Sequence, residues 1–212
     1  MNISSFPVSP FVENTYIIWD KTNGDAAIVD PGMMRDDERQ MVDCFIANNG
    51  LSVKYILITH VHIDHVASAR WAADKYGAKI LGNKIDEQYA AILPEQAAYF
   101  RLKLDIEPFA FDQYIEDGDE IRLADEMIRV LFTPGHSAGS LSFYLPDSNF
   151  IITGDTLFEG SIGRTDLPGG NYNTIIHSIK NKLLTLPSDA MIYPGHGPSS
   201  TIGDELRYNP YL

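Results

Sequence analysis

Short apolar runs, each closed by polar or glycine-rich turns, recur along the whole chain. They predict β-strands at 15–20, 25–30, 53–58, 78–81, 113–116, 120–124, 127–133, 140–146, 149–154 and 190–193. Apolar residues at helical spacing instead predict helices over 36–48, 67–76 and 172–185. Strands followed by helices indicate crossover units of an α/β layer, whereas the turn-linked strands between 113 and 154 indicate an antiparallel meander.

The segment 84–112 interrupts this alternation, because it is apolar and rich in aromatic residues. Its pattern predicts a mostly helical segment. Two interpretations stay open at this point: a helical packing segment, or a cap beside a functional site.

The predicted strand at 53–58 runs directly into Thr59-His60-Val61-His62-Ile63-Asp64-His65. Sites in open α/β layers tend to form at the carboxyl ends of strands. Three of the six histidines lie in this window, and imidazoles and carboxylates are common metal ligands in proteins. The window therefore predicts a metal site.

Three further strand ends carry a histidine or an aspartate directly after a glycine. The residues are His136 after Gly135, Asp155 after Gly154 and His196 after Gly195. A glycine permits the tight backbone that could turn such a side chain inward. The remaining histidine, His177, falls in a helical pattern and is predicted to be a surface or packing residue.

The order His-x-His-x-Asp-His, then His, Asp and His, resembles that of the metallo-β-lactamase superfamily. The run GDTLFEGSIGRTDLPGG at 154–170 is similar to the bacterial glyoxalase II-like hydrolases of that superfamily. So are Asn14-Thr15-Tyr16, the turn Val29-Asp30-Pro31-Gly32 and the closing Asn209-Pro210-Tyr211-Leu212. The resemblance covers nearly the whole chain and implies an α/β fold, an αββα sandwich with a two-metal site on one edge.

The resemblance also implies a role for each ligand. His60, His62 and His136 would hold the first metal, Asp64, His65 and His196 the second, and Asp155 would bridge the two. Zinc is the preferred metal, with iron or manganese as alternatives. A hydroxide bridging the metals would then attack a substrate carbonyl, and Asp64 would orient it as a catalytic residue. S-2-hydroxyacylglutathione-like thioesters are the expected substrates.

Substrate recognition is less specific in the sequence. Arg164 stands where the resemblance places a basic residue that binds the glutathione carboxylate, but it could instead pair with Asp166 for a structural reason. Asp166 and Pro198 stand where the related enzymes often have tyrosines. Val61 replaces the more usual threonine between the first two histidines.

Bulk properties narrow the class of protein. A chain of 212 residues suits one hydrolase domain over 1–212, with no additional C-terminal glutathione-binding helical domain expected. A net charge of −13 argues against a nucleic-acid substrate. No signal peptide or membrane-spanning run is seen, so a cytoplasmic location is expected. The single cysteine, Cys44, is predicted to lie in the core on a helical face with Met41 and Phe45.

Several other activities share parts of the motif. Lactones or other esters are alternative substrates on the same site. A mono-iron persulfide dioxygenase would need only His, His and Asp. A β-lactamase is disfavoured, because its second metal site usually includes a cysteine and Cys44 is far from these motifs in sequence. A non-catalytic metal-binding module is disfavoured because all seven ligand positions are present.

Overall fold

The computed structural model describes all 212 residues, which form two compact units, Met1–Tyr114 and Ile115–Leu212. Each unit contains one six-stranded sheet with helices. No helix in either unit is both long enough and apolar enough to cross a membrane.

The sheet of the first unit has its strands in chain order. The strands are β1 (Asn2–Val8), β2 (Glu13–Trp19), β3 (Asp25–Val29), β4 (Ser52–Leu57), β5 (Lys79–Gly82) and β6 (Gln113–Tyr114). The first three pair antiparallel, and β3 to β6 pair parallel. The parallel half directs the carboxyl ends of β3, β4 and β5 to one edge, where the chain continues into Asp30 and the predicted ligand loop.

The helices of this unit are α1 (Asp36–Asn48), α2 (Ile63–Val66), α3 (Ala69–Tyr76), α4 (Glu87–Ala90) and α5 (Leu93–Tyr99), with a 3₁₀ turn at Lys84–Asp86. The predicted helix 36–48 is confirmed. Glu38 accepts hydrogen bonds from the backbone N–H groups of Met34 and Arg35 and so satisfies donors at its start. Gly77, in the left-handed region, ends α3 as predicted.

The prediction that Cys44 lies in the core was wrong, because its side chain is exposed. The buried face of α1 carries Glu38, Val42 and Ile46, which repeat every fourth residue. Cys44 is two positions from Val42, or about 200° around the helix, and Met41 is also 42% exposed. The face with the apolar core was therefore misidentified.

The segment 84–112 is helical only over its first half, up to Tyr99. From Leu102 to Phe111 it has no regular structure. Its large apolar side chains are partly or fully buried, whereas the residues between them are exposed. This alternation has a period of two, which belongs to an extended chain rather than a helix. The helical prediction was wrong for this stretch.

The second unit has the strands β7 (Glu120–Leu123), β8 (Glu126–Phe132), β9 (Leu141–Leu145), β10 (Phe150–Gly154), β13 (Met191–Pro194) and β14 (Ser200–Thr201), with a small hairpin of β11 (Leu157–Phe158) and β12 (Ser161–Ile162). β7 to β10 form the predicted antiparallel meander, and β13 pairs parallel to β10. The predicted strand near 113–116 does not join it, because Gln113–Tyr114 pairs with β5 of the first unit's sheet.

Two helices complete the second unit, α6 (Tyr172–Asn181) and α7 (Ile202–Tyr208), with a 3₁₀ turn at Leu183–Thr185. The side chain of Asn171 accepts the N–H of Thr174 and caps α6. Ile175 and Ile179 of α6 are buried against Ile151 and Ile192 of the sheet. Because β10 and β13 run parallel, they end at the same edge of the sheet, just before Asp155 and His196.

Candidate metal centre

The four ligands predicted in the first unit lie together in the loop that follows β4. Nε2 of His60 is 3.1 Å from Nδ1 of His62, and the rings of His60 and His65 are 4.1 Å apart at their centroids. Oδ2 of Asp64 lies 3.9 Å from Nε2 of His65. His60 and His65 are buried, whereas His62 and Asp64 are partly exposed. The loop therefore presents three imidazoles and a carboxylate over a short distance.

Asp30, directly after β3, connects this loop to the sheet. Its Oδ1 accepts the backbone N–H of Thr59 at 2.7 Å, and its Oδ2 accepts the Thr59 hydroxyl at 2.5 Å. The same Oδ2 is 2.9 Å from Nδ1 of His65. A carboxylate on the far nitrogen of an imidazole fixes the ring and directs Nε2 to a metal. Asp30 therefore orients His65 and anchors the start of the loop.

Glu13, at the start of β2, is fully buried behind this arrangement. Its Oε2 accepts a hydrogen bond from the Thr15 hydroxyl at 2.9 Å, and its Oε1 is 3.8 Å from Nδ1 of His65. Burial raises the pKa of Glu13 well above its ordinary value, an effect that the charge of His65 partly opposes. Neither Asp30 nor Glu13 was assigned a role from the sequence.

Gly32 allows the backbone to approach the ligand loop closely. A β-carbon at this position would overlap the carbonyl oxygen of Asp64 and the Oε2 atom of Glu13. Any larger residue would push the loop away from the turn after β3. The turn 29–32, noted in the sequence only as part of a resemblance, thus has a steric function.

The second unit brings its three predicted ligands together from separate strand ends. Oδ2 of Asp155 is 3.5 Å from Nε2 of His136 and 3.7 Å from Nε2 of His196. One carboxylate oxygen therefore lies close to both imidazoles. Nδ1 of His136 is 2.8 Å from the carbonyl oxygen of Arg164, an arrangement in which Nδ1 donates and Nε2 is directed to Asp155.

Backbone packing around glycines holds this second group in place. A β-carbon on Gly163 would overlap the carbonyl oxygen of Asp155 and lie 3.2 Å from Cβ of His136. Gly195, before His196, donates its N–H to the carbonyl oxygen of Gly154, before Asp155, at 2.9 Å. The two predicted ligands that follow β10 and β13, Asp155 and His196, are thereby held side by side.

Arg164 and Asp166 form an exposed, two-bonded ion pair, with both hydrogen bonds at 2.7 Å. The Arg164 guanidinium lowers the pKa of Asp166 to about 2. The structural pairing considered in the sequence analysis is thus present. His177 is exposed on α6, as predicted, with the Asn181 amide 3.1 Å from its Nδ1.

The donor atoms within each unit suit divalent metal ions. Two nitrogen ligands at 2.0–2.1 Å from a tetrahedral zinc are roughly 3.3 Å apart. The His60–His62 distance of 3.1 Å and the two Asp155 distances of 3.5 and 3.7 Å lie near that value. The set contains only imidazoles and carboxylates, and Nδ1 of His65 and of His136 faces an oxygen. The residues present therefore fit metal ligation.

Comparison with known proteins agrees with this chemistry. The family model described as metallo-beta-lactamase superfamily matches residues 8–196. The chain belongs to the metallo-β-lactamase superfamily. Its α/β class and its fold, predicted from the sequence motifs, are confirmed. Membership supports a metal-dependent hydrolase that binds divalent metals.

One curated relative and two solved structures illustrate the likeness. The chain is 40% identical to the hydroxyacylglutathione hydrolase GloC of Haemophilus influenzae, over 100% of this chain and 98% of that protein. The crystal structure of the BLEG-1 B3 metallo-β-lactamase has a TM-score of 0.90 at 30% identity and covers 100% and 99% of the two chains. The protein TTHA1623, crystallised in a di-iron-bound form, has a TM-score of 0.85 at 32% identity and covers 99% and 100%.

Proposed function

We propose that the protein is a binuclear metal-dependent hydrolase of thioesters, with S-2-hydroxyacylglutathione-like compounds as its substrates. The seven ligands named from the sequence would serve one centre in a single hydrolase domain over 1–212. The observation that carries the substrate class is the 40% identity, over the whole chain, with a protein named as a hydroxyacylglutathione hydrolase.

The binuclear part of the proposal is supported by Asp155. Its Oδ2 lies within 3.7 Å of Nε2 atoms from His136 and His196, which the superfamily pattern assigns to different metals. A carboxylate shared in this way offsets the mutual repulsion of two cations. Zinc, iron and manganese all accept this donor set, and a related protein is known in a di-iron form.

When bound, such a metal pair supplies a water whose pKa is lowered to about 7 and a Lewis acid that polarises the substrate carbonyl. The residues of this chain would do the rest. Asp64, partly exposed, would orient the attacking water by a hydrogen bond. His65, held by Asp30, keeps its ring direction during turnover. A thiolate leaves readily, so no dedicated acid for the leaving group is required.

Arg164 is proposed to bind the carboxylate of an anionic thioester. Its pairing with Asp166 is exposed, and exposed ion pairs contribute little to stability. A substrate carboxylate could therefore displace Asp166 at small cost. Arg164→Ala should raise KM for an anionic glutathione thioester and leave a small neutral thioester nearly unaffected, since the lost contact does not involve the reacting bond.

The decisive experiment is a substrate panel on protein of measured metal content, loaded in turn with zinc, iron and manganese. The panel contains a 2-hydroxyacylglutathione thioester, a neutral thioester, a lactone, a β-lactam and a persulfide, with oxygen consumption recorded. We expect two metals per chain and fastest turnover of the glutathione thioester. The His177→Ala variant, which changes a histidine outside the centre, is measured on the same panel as a control and should match the wild type.

Each alternative has its own result. Oxygen uptake on a persulfide with one iron per chain would establish a dioxygenase instead. Fastest turnover of the β-lactam would instead indicate an activity like that in the name of the similar BLEG-1 metallo-β-lactamase. Fastest turnover of the lactone would keep the hydrolase function and change the proposed substrate. Two bound metals without turnover of any compound would contradict the proposed hydrolase activity and favour a non-catalytic metal-binding module.

A further inference from the structure

The residue between the first two histidines is held by side chains from a distant segment. Val61 is buried, and its backbone N–H donates to Oδ2 of Asp86 at 3.3 Å. Its carbonyl oxygen accepts from Nε2 of Gln96 at 3.1 Å. Both polar groups of one residue are thus bound by side chains rather than by a strand or helix ladder.

Gln96 connects two structures at once. Its Nε2 also donates to the carbonyl oxygen of Tyr89 at 3.1 Å, so one amide group links α4, α5 and the ligand loop. On the same helix, Leu93 and Ala97 are buried in the core of the unit. The Gln96 amide that donates to Val61 is therefore held in place by its second hydrogen bond and by the packing of its helix.

Asp86 is similarly anchored. It is buried, and its backbone N–H donates to the carbonyl oxygen of Asn83 at 3.1 Å. The side chain of Asn83 accepts the N–H of Ile85 at 2.9 Å and so caps the 3₁₀ turn. The acceptor for the Val61 N–H thus belongs to a closed turn with little freedom to move.

We propose that Asp86 and Gln96 are positioning residues that brace the Val61 peptide and thereby fix the directions of His60 and His62. The two peptide groups that flank Val61 carry these histidines, so a rotation of either group moves an imidazole. The inference rests on the metal-dependent function proposed above. It assigns the first half of the segment 84–112 to the organisation of the ligand loop.

A role in packing alone predicts a different result from substitutions at these positions. If α5 only filled space, a leucine of similar size would replace Gln96 without consequence for metal binding. If the brace is real, Gln96→Leu leaves the buried carbonyl oxygen of Val61 without its donor and frees the loop. Groups that hydrogen-bond directly to metal ligands typically change metal affinity 10- to 100-fold when they are removed. We expect an effect of the same order here, because the two bonded peptide groups adjoin His60 and His62.

The test titrates metal-free wild-type protein, Gln96→Leu, Asp86→Leu and Asp86→Asn with Co²⁺, and records visible absorption and calorimetric binding. Thermal unfolding of the metal-free proteins is measured beside it. Gln88→Leu is the matched control, because Gln88 lies in the same segment and donates to Ile85 but is exposed and has no bond to the loop.

We expect Gln96→Leu and Asp86→Leu to weaken one Co²⁺ equivalent by roughly 10- to 100-fold and to alter its absorption spectrum. The other equivalent should be nearly unchanged. Asp86→Asn keeps an acceptor oxygen and should retain most of the affinity. Gln88→Leu should match the wild type in every measurement.

Wild-type affinity and spectrum in both leucine variants would overturn the brace. So would an equal loss in Gln88→Leu, or an equal weakening of both equivalents that parallels a loss of thermal stability. If the wild type itself binds a single equivalent, the binuclear function fails, and the brace is still judged by the effect of the variants on that equivalent.

Discussion

The two units hold their proposed ligands by different means. In the first unit, four proposed ligands lie in one short loop, and side chains brace them: Asp30 binds Thr59 and His65, while Asp86 and Gln96 bind Val61. In the second unit, three proposed ligands come from separate strand ends. There the backbone braces them, through the Arg164 carbonyl, the Gly195–Gly154 hydrogen bond and the close approach of Gly163.

The difference follows from chain connectivity. A single loop positions all its ligands together, so a few polar side chains can fix its conformation. Ligands on separate strands are each fixed by their own backbone, and their mutual spacing depends on how closely neighbouring segments approach. Loss of a polar side chain should therefore damage the first unit most. An added methyl group should damage the second unit at Gly163, and the ligand loop of the first unit only at Gly32, where the turn after β3 approaches the loop.

The largest effect is expected from Asp155→Ala, because Oδ2 of Asp155 lies close to the imidazoles of both His136 and His196. Turnover and metal content should both fall by orders of magnitude, since the carboxylate proposed to offset two cations is gone. His177→Ala, on the exposed face of α6, should be nearly silent. Metal analysis and thioester hydrolysis of the two variants measure this, and similar losses in both would refute the ligand assignment.

The side-chain brace of the first unit is tested by Asp30→Asn. Asn keeps the size of Asp30 and tolerates its left-handed backbone, φ 50°, but removes the charge that Thr59 and His65 share. Stability of the metal-free protein should fall by about 1–3 kcal/mol, because buried donors lose a charged acceptor. Metal affinity should fall roughly 10- to 100-fold.

Chemical denaturation and metal titration provide these two values. Asp20→Asn is the matched control, since the Asp20 carboxylate also accepts backbone N–H groups, those of Thr22 and Asn23, but in an exposed turn. If Asp30→Asn changed no more than this control, the network around His65 would have no organising role.

The backbone brace of the second unit is tested by Gly163→Ala. Its β-carbon must displace the Asp155 backbone, and forced overpacking of this kind costs about 1–3 kcal/mol. Metal affinity should fall with it. Gly160→Ala is the control: open space surrounds Gly160, but its φ of 61° is strained for alanine, which costs about 1 kcal/mol. If Gly160→Ala lost metal affinity and Gly163→Ala did not, the close approach of Gly163 to Asp155 would not be what holds the ligands.

The contrast between the units also explains what could be predicted from sequence. All seven proposed ligands follow strand ends, so hydrophobic runs and the residues after them were sufficient to name them. Asp30 binds Thr59 across 29 positions, and Gln96 binds Val61 across 35. Such partners become neighbours only through sheet order and helix placement, which local patterns do not specify.

The errors have local causes. In the stretch 102–111 the period of two was present in the sequence, but the aromatic composition suggested a helix. On α1 the apolar Met41, Cys44 and Phe45 suggested a core face, whereas Glu38 occupies the buried face because it accepts backbone N–H groups. A buried carboxylate with local hydrogen bonds is invisible to a hydrophobicity pattern.

The smallest expected effect concerns Asp166, which lies beside the second unit's ligands without belonging to them. Its hydrogen bonds from Arg164 lower its pKa from an ordinary 3.8 to about 2. A folded-state pKa below the unfolded value means that the stabilisation is present above pH 4 and is lost as pH falls from about 4 to about 2. Arg164→Ala should return the pKa of Asp166 towards 3.8.

Carboxyl NMR titration of metal-free protein near pH 4 detects this change, because Asp166 would be ionised in the wild type and about half protonated in the variant. The pair is exposed, so the stability of the variant at neutral pH should hardly change. Metal affinity should also be retained, since His136 is held by the carbonyl oxygen of Arg164, which the substitution preserves. A large loss of metal in Arg164→Ala would mean that the side chain, and not only the backbone, organises the second unit, and the contrast between the two units would then fail.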